Sequence, residues 1–271
     1  MSSQNAIGVF DSGLGGLSAV KEFMNLLPNE KIIYFGDTGR VPYGTRSRDT
    51  IRKYALQDAG FLLTHNVKMI VAACGTVSSV AGGLLEEKLG VPYTGVVNPT
   101  AYTAVRKTKN GRIGVIATNA TVKTGAYERA IAKYNEDATV FMEACPLLVP
   151  LVENGRFRPG DPVIEIVLKE YLEPLVEKDI DTLVLGCTHY PLLQEAITHL
   201  YPSLNVISSS DAAAAKMLGT LIQNGTCNEN TEAAQSERKY FVSDDAEGVD
   251  NLTRVFMGDE LGGTFRQVDV E

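Results

Sequence analysis

The chain has 271 residues, of which 44% are hydrophobic and 21% charged, and a formal net charge of -8. That length supports a well-buried core in one large domain or two ordinary ones, and the composition excludes a disordered chain. The acidic balance argues against a broad nucleic-acid or anionic-membrane surface, and no apolar run approaches the roughly 20 residues of a membrane span.

The polar start and the short apolar run at 7–10 do not resemble a signal peptide. A cytoplasmic protein acting on small molecules is expected, with no nucleic-acid or membrane partner. In that compartment Cys74, Cys145, Cys187 and Cys227 are free thiols rather than a disulfide framework.

Taken in chain order, a first strand is expected at 7–10 and a helix at 17–27. Between them lies Asp11-Ser12-Gly13-Leu14-Gly15-Gly16, whose glycines could let backbone N-H groups approach a ligand carboxylate, or form an ordinary tight turn. It is not a dinucleotide fingerprint, because Ser18 stands where the third glycine is needed, nor a P-loop, which would end in Gly-Lys-Ser/Thr. Asp11, at a strand end, is a candidate polar group of a site.

A second strand at 32–35 precedes the loop Gly36-Asp37-Thr38-Gly39-Arg40-Val41-Pro42-Tyr43-Gly44, well defined by its Pro and Gly residues and suited to contact a substrate. A helix at 47–65, a strand at 69–73 running into Cys74-Gly75-Thr76, and a helix at 79–89 follow.

The second half opens with a strand at 113–117, after which Thr118, Asn119 and Thr121 offer hydroxyl and amide groups to a carboxylate, or make an ordinary turn. A helix at 124–134 and a strand at 140–142 come next, then Glu153, a candidate counterpart to Asp11 or a solvated loop carboxylate. Pro162 and Pro191 open helices at 162–178 and 191–200, on either side of a strand at 182–185 that runs into Gly186-Cys187-Thr188-His189. A strand at 205–207, a polar loop at 226–237, a strand at 240–242 and a helix at 249–256 complete the chain and return it to the first half.

This alternation implies an α/β fold with parallel sheets flanked by helices. Ile7-Gly8-Val9 and Ile113-Gly114-Val115 lie 106 residues apart, and Cys74 and Cys187 lie 113 apart. The near agreement points to two similar halves facing each other across a cleft, with chance similarity of Ile-, Val- and Gly-rich strands as the alternative.

Each of these two cysteines follows an apolar strand and precedes a helix, so each thiol is expected at a strand's carboxyl end beside a helix N-terminus. Inverting the α-carbon of an amino acid requires a base on one face and an acid on the other. Two facing thiols meet that geometry, since a cysteine of pKa about 8.5 can be tuned toward thiolate or thiol by its neighbours.

A single such cysteine would be read as a small buried hydrophobe; a matched pair makes that reading less comfortable. His189 could orient or activate Cys187, bind substrate, or cap a helix. Zinc held by Cys74, Cys187 and His189 is disfavoured, because no Cys-x-x-Cys or His-Glu-x-x-His spacing is present, and no metal is expected. A Cys-His hydrolase or transferase using one thiol covalently, and a non-catalytic amino-acid-binding protein, stay open on these residues alone.

Taken together, Asp11-Ser12-Gly13, Gly36-Asp37-Thr38, Pro42-Tyr43-Gly44, the first cysteine strand, Ile113-Gly114-Val115 and above all Gly186-Cys187-Thr188-His189-Tyr190-Pro191-Leu192-Leu193 resemble glutamate racemase, of the aspartate/glutamate racemase superfamily. The resemblance implies interconversion of L- and D-glutamate without a cofactor, supplying D-glutamate for peptidoglycan. Aspartate is the alternative substrate in the same superfamily.

It further implies Cys74 and Cys187 as acid/base thiols, assisted by Asp11, His189 and Glu153. Substrate contacts would come from Asp11, Ser12, Pro42, Tyr43, Gly44, Gly75, Thr76, Thr118, Thr121, Thr188 and His189. Two similar domains are implied, 1–97 with 209–271 and 98–208, as are a homodimer and, with the first strand opening at residue 7, no N-terminal extension. Two departures stand out. Gly75 occupies a position where the family usually has asparagine, and Ser208-Ser209-Ser210 replaces an Asp-Ser-Gly-like run.

Overall fold

A computed structural model describes residues 2–230, 238–258 and 261–270. The chain alternates strand and helix from the start: β1 (Ile7–Asp11), α1 (Leu17–Leu26), β2 (Ile32–Gly36), α2 (Arg48–Leu63), β3 (Met69–Ala72), α3 (Gly75–Lys88) and β4 (Tyr93–Gly95). α4 (Val97–Lys107) leads to β5 (Arg112–Ala117), α5 (Asn119–Thr124), α6 (Ala126–Tyr134), β6 (Thr139–Ala144), α7 (Leu148–Glu153), α8 (Pro162–Val176), β7 (Thr182–Leu185), α9 (Gln194–Leu200) and β8 (Asn205–Ser208). α10 (Ser209–Gln223), β9 (Lys239–Val242), α11 (Asp250–Met257) and β10 (Phe265–Gln267) follow.

Two sheets result, ordered β10-β9-β2-β1-β3-β4 and β6-β5-β7-β8, and every pairing is parallel. The run β2-β1-β3-β4 has the same order as β6-β5-β7-β8, so the repeated Ile-Gly-Val strands are structurally equivalent. Ile7 lies opposite Ile32 and Met69, and Ile113 lies opposite Val140 and Thr182.

In each sheet the chain switches sides about its first strand, and the crevice beyond the strands' carboxyl ends at such a switch is where α/β sheets bind ligands. That point falls between Asp11 and Cys74 in one sheet and between Ala117 and Cys187 in the other. The C-terminal strand β9 pairs with β2, as expected for a segment returning to the first half. Of the polar loop expected at 226–237, residues 231–237 lie outside the described residues.

Side chains alternate across the strands and divide the core accordingly. Ile7 and Val9 face α1, α10 and α11, whereas Phe10, Ile70 and Ala72 face α2 and α3. In the second sheet Leu183 and Leu185 join the first of these clusters, together with side chains of α8 and α9, while Ile113, Val115 and Val184 pack under α4 and α6. One apolar layer is therefore continuous between the two sheets, each fully buried Val, Leu or Ile in it contributing about 1.5–3 kcal/mol.

Helix boundaries follow local chemistry. Ser47 accepts the Thr50 N-H at the start of α2, and Asp161 accepts the Val163 N-H ahead of Pro162 in α8. The helix expected at 124–134 is α6, which opens after Gly125 adopts φ 64°; the short α5 that Gly125 ends was not expected. α3 begins four residues before the expected 79, since packing overrides the weak helical preference of Gly75-Thr76-Val77. β4, α4, α7, α10 and β10 were not expected; β4 and β10 have only three residues each, too few for a period to show.

The base of the first sheet is closed by a buried ion pair. Lys68 Nζ lies 2.5 Å from Glu30 Oε2 and donates to the carbonyls of Ser3 and Thr226 at 2.8 and 2.7 Å, while Glu30 Oε1 accepts the Asn228 N-H at 2.8 Å. Removing one partner strands a buried charge. Lys68→Met is expected to lower unfolding stability by about 3–5 kcal/mol in denaturant titration, and pairing it with Glu30→Leu to recover part of that loss.

Candidate active site

The crevices of the two sheets open into one shared cavity of about 670 Å³. From the first half it is lined by Ser12, Pro42, Tyr43, Gly44, Cys74, Gly75 and Thr76, and from the second by Thr118, Asn119, Glu153, Cys187, Thr188 and His189. Two expected site residues, Asp11 and Thr121, lie beneath its surface and are buried. Among the described residues no cluster of three or more His, Cys, Asp and Glu side chains could hold a metal ion, and no helix is long and apolar enough to cross a membrane.

Asp11 ends β1 with its carboxylate folded back on the glycine loop. Its Oδ2 accepts the N-H groups of Gly13 and Gly16, each at 3.1 Å, so these donors serve the protein's own buried anion rather than a ligand carboxylate. Oδ1 is buried and makes no hydrogen bond among the described residues. Burial raises the Asp11 pKa, outweighing the opposing pull of His189 and the two N-H groups.

Cys74 occupies the N-cap of α3, as expected, and its thiol donates to Ser12 Oγ at 3.4 Å. Burial and the Asp11 charge push its pKa up to about 12, so it is a thiol at neutral pH.

Cys187 departs from that plan. No α-helix starts beside it: Tyr190–Leu193 form a short 3-10 turn and α9 begins only at Gln194, with Pro191 lacking the N-H that a continuous helix would use. The tight turn brings His189 back over the thiol instead, with Nδ1 3.8 Å from Sγ.

The other ring nitrogen of His189, Nε2, is 2.9 Å from Glu153 Oε1 at the end of α7. Burial works against charge on this imidazole, but its hydrogen bonds to Cys187 and Glu153 and their negative charges prevail, and its pKa is pushed up to about 10. Phe256 of α11 packs perpendicular to the ring at 5.1 Å. Gly15 makes room on another side, where a β-carbon would come within 2.5 Å of His189 Cε1 and Nδ1.

Glu153 is therefore not the topological counterpart of Asp11. That position, the end of β5, is Ala117, and Glu153 reaches the His189 ring from a different element.

Hydroxyl groups line the seam between the halves. Thr76 Oγ1 and Thr118 Oγ1 are 3.1 Å apart, Thr118 donates to Thr121 Oγ1 at 3.2 Å, and Thr118 also caps α5. Thr121 thus positions Thr118 from behind the wall.

Tyr43 lines the cavity, but its hydroxyl is engaged elsewhere, hydrogen-bonded to Asp37 and 3.0 Å from Asp58 Oδ2. Arg40 bridges the same two carboxylates at 2.7 and 2.8 Å. Burial and the neighbouring Asp37 charge raise Asp58 well above the usual carboxylate range. Ser208, Ser209 and Ser210 do not line the cavity: Ser208 caps α10, and Ser210 contacts Ser18, which holds the Thr188 carbonyl at 2.8 Å.

Several lining residues were not anticipated. Cys145 follows β6, Asp244, Asp245 and Val249 come from the segment between β9 and α11, and Leu252 comes from α11 itself, all of this C-terminal stretch read from sequence as structural completion. Asp244 and Asp245 lie just past the carboxyl end of a strand in the first sheet, the same signal that singled out Asp11 and Cys74.

A family model for Asp/Glu/hydantoin racemases matches residues 18–217. The chain is 47% identical to the glutamate racemase of Chlorobaculum tepidum over 263 residues, 96% of this chain and 95% of the relative. Among solved structures it matches glutamate racemase from Thermus thermophilus in complex with β-chloro-D-alanine, with a TM-score of 0.89 and 40% identity over 100% of this chain and 99% of that one. It also matches glutamate racemase from Francisella tularensis in complex with D-glutamate, with a TM-score of 0.89 and 36% identity over 99% of both chains. With this sequence, two-sheet fold and shared cavity, the chain belongs to the glutamate racemases of the Asp/Glu/hydantoin racemase family.

Proposed function

We propose that the cavity interconverts L- and D-glutamate by moving a proton off one face of the α-carbon and onto the other, with Cys74 and Cys187 as the two exchanging groups. The observation that carries this is the pair of thiols, from equivalent strand ends of the two halves, lining one cavity in unlike electrostatic settings. No cofactor enters the scheme. The product supplies D-glutamate for peptidoglycan in the cytoplasm, and the domains are 1–97 with 209–271 and 98–208.

In one direction the Cys187 sulfur, as thiolate, takes the α-proton and becomes a thiol, while the Cys74 thiol gives its proton to the opposite face and becomes a thiolate. The reverse reaction exchanges these roles, and no net proton is consumed. Protonated His189 supports negative charge on the Cys187 sulfur from 3.8 Å, and Glu153 holds it in that state. On the other side burial and the Asp11 charge keep the proton on Cys74 until it is delivered to the α-carbon.

Among the described residues the lining contains no lysine or arginine, so substrate carboxylates are held chiefly by neutral donors, Ser12, Thr76, Thr118 and Thr188 with adjacent N-H groups. The D-glutamate complex of the Francisella tularensis relative supports the substrate assignment. So does the identity of the curated relatives.

Racemisation in deuterated water tests the scheme. Early in the reaction the product enantiomer should carry deuterium at the α-carbon and the recovered substrate should not, and Cys74→Ser or Cys187→Ser should lower kcat by at least about 10²–10⁴-fold. A serine variant that racemises at the parent rate contradicts the two-thiol scheme.

The pH profile gives a second test. His189 is charged below its raised value and loses its proton as the pH climbs through about 10, so kcat/KM should fall on an alkaline limb near there. Glu153→Gln removes one of the two groups that raise it, and the limb should move to lower pH. The linked stability has the same sign: it is fully present below about pH 6.5, the ordinary histidine value, and is lost on approaching pH 10.

A further inference from the structure

The turn that carries Cys187 lacks one hydrogen bond of its own series. The Tyr190 N-H donates to the Cys187 carbonyl at 3.1 Å and the Leu192 N-H to the His189 carbonyl at 3.3 Å, each spanning three residues as in a 3-10 helix. The bond between them would join residue 191 to the Thr188 carbonyl, but Pro191 has no N-H. Thr188 is buried, and a buried carbonyl without a donor is costly.

The missing donor comes from the other half of the molecule. Ser18, in the first turn of α1, donates its hydroxyl to the Thr188 carbonyl at 2.8 Å, and among the described residues it is the one donor to that oxygen. A serine has a single hydroxyl proton, so at the 3.0 Å contact between Ser18 and Ser210 the donor is Ser210, and the bond to Thr188 does not depend on it. The start of α1 also lies against the side chains of the turn. A β-carbon on Gly15 would come within 2.5 Å of His189 Cε1 and Nδ1 and 2.6 Å of Thr188 Oγ1. Gly16, one residue on, gives its N-H to Asp11 beside Cys74. One helix start therefore holds a group next to each thiol.

We propose that Ser18 is a positioning residue for the second thiol: its hydroxyl stands in for the N-H that Pro191 lacks, and so fixes the Thr188–His189 peptide and the imidazole that faces Cys187. Ser18 does not line the cavity and acts through the turn alone. The inference rests on the reading above, in which His189 supports the Cys187 sulfur.

Racemisation kinetics of Ser18→Ala and Ser18→Thr test it. A freed turn shifts the imidazole, and a misplacement of about 1 Å at a reacting centre costs about 10²-fold in rate, so Ser18→Ala should lower kcat by about 10–10²-fold. Its alkaline limb should also move to lower pH, because His189 loses part of the Cys187 contact that, with Glu153, keeps it charged, while Asp11 across the cavity is unchanged. Ser18→Thr keeps the hydroxyl and should retain the parent kcat and limb. Parental kcat in Ser18→Ala, a loss without a shift of the limb, or an equal loss in Ser18→Thr overturns the proposal.

Pro191→Ala restores the absent N-H. Ser18→Ala should therefore cost at least about threefold less in that background than in the parent, and equal losses in the two backgrounds also overturn the proposal. Should Ser18→Ala not fold, a crystal structure of the parent with glutamate decides. Ser18 Oγ within hydrogen-bonding distance of the Thr188 carbonyl supports the proposal, and a longer separation overturns it. A parent inactive on glutamate defeats the racemase reading instead, and the same crystal then decides the contact on its own.

Discussion

Main chain packed directly on main chain, with no side chain between, is the constraint on which the cavity depends. Parallel strands deliver their chemistry at their carboxyl ends, but two sheets can bring such ends to one ligand only if the loops beyond them approach closely. Gly75 against the Gly186 carbonyl is such an approach between the halves, and Gly15 leaves room for side chains instead, the His189 ring and the Thr188 hydroxyl. Neither glycine makes a favourable contact that a larger residue would lack. Each matters through the volume it leaves to a neighbour, which is why their roles emerge only from the assembled fold.

Within that frame the two thiols are set up differently. Cys74 sits in a buried, anionic surrounding that retains its proton, whereas Cys187 faces an imidazole that burial alone would discharge and that Glu153 keeps charged. The electrostatic reach of His189 extends to Asp11 across the cavity, so a proton moved on one side alters the balance on the other. A proton transfer that must run both ways benefits from such coupling: donor and acceptor need to exchange roles without either becoming permanently locked.

Much of the fold was legible because parallel strands buried on both faces leave continuous apolar runs, and the Ile-Gly-Val anchors marked two halves that share one strand order. The cysteines, Asp11, His189 and the threonines were legible as polar residues just past those runs. Partnership was not. That Gly13 and Gly16 would spend their N-H groups on Asp11, that the Tyr43 hydroxyl would be tied to Asp37 and Asp58, and that Phe256 would lean on His189 all depend on contacts between distant segments. α10 escaped notice because its Ala212-Ala213-Ala214-Ala215 run has no apolar period, and the segment after β9 because its two aspartates look like an ordinary solvated turn.

The repeat also shows how the same topology can carry unlike chemistry. β1 ends in Asp11, beside Cys74, so the first half draws its carboxylate from the strand itself. β5 ends in Ala117, and the second half supplies its partner by a longer route: a tight turn folds His189 onto Cys187, and α7 brings Glu153 to the far side of the ring. The C-terminal segment then braces both sides. Ser243 donates to Asp37 at 2.7 Å and the Asp244 N-H reaches Thr38 at 3.1 Å, holding the loop that carries Tyr43, while Phe256 packs against His189. A segment that looks in sequence like the closing of a sheet therefore braces the cavity walls of both halves.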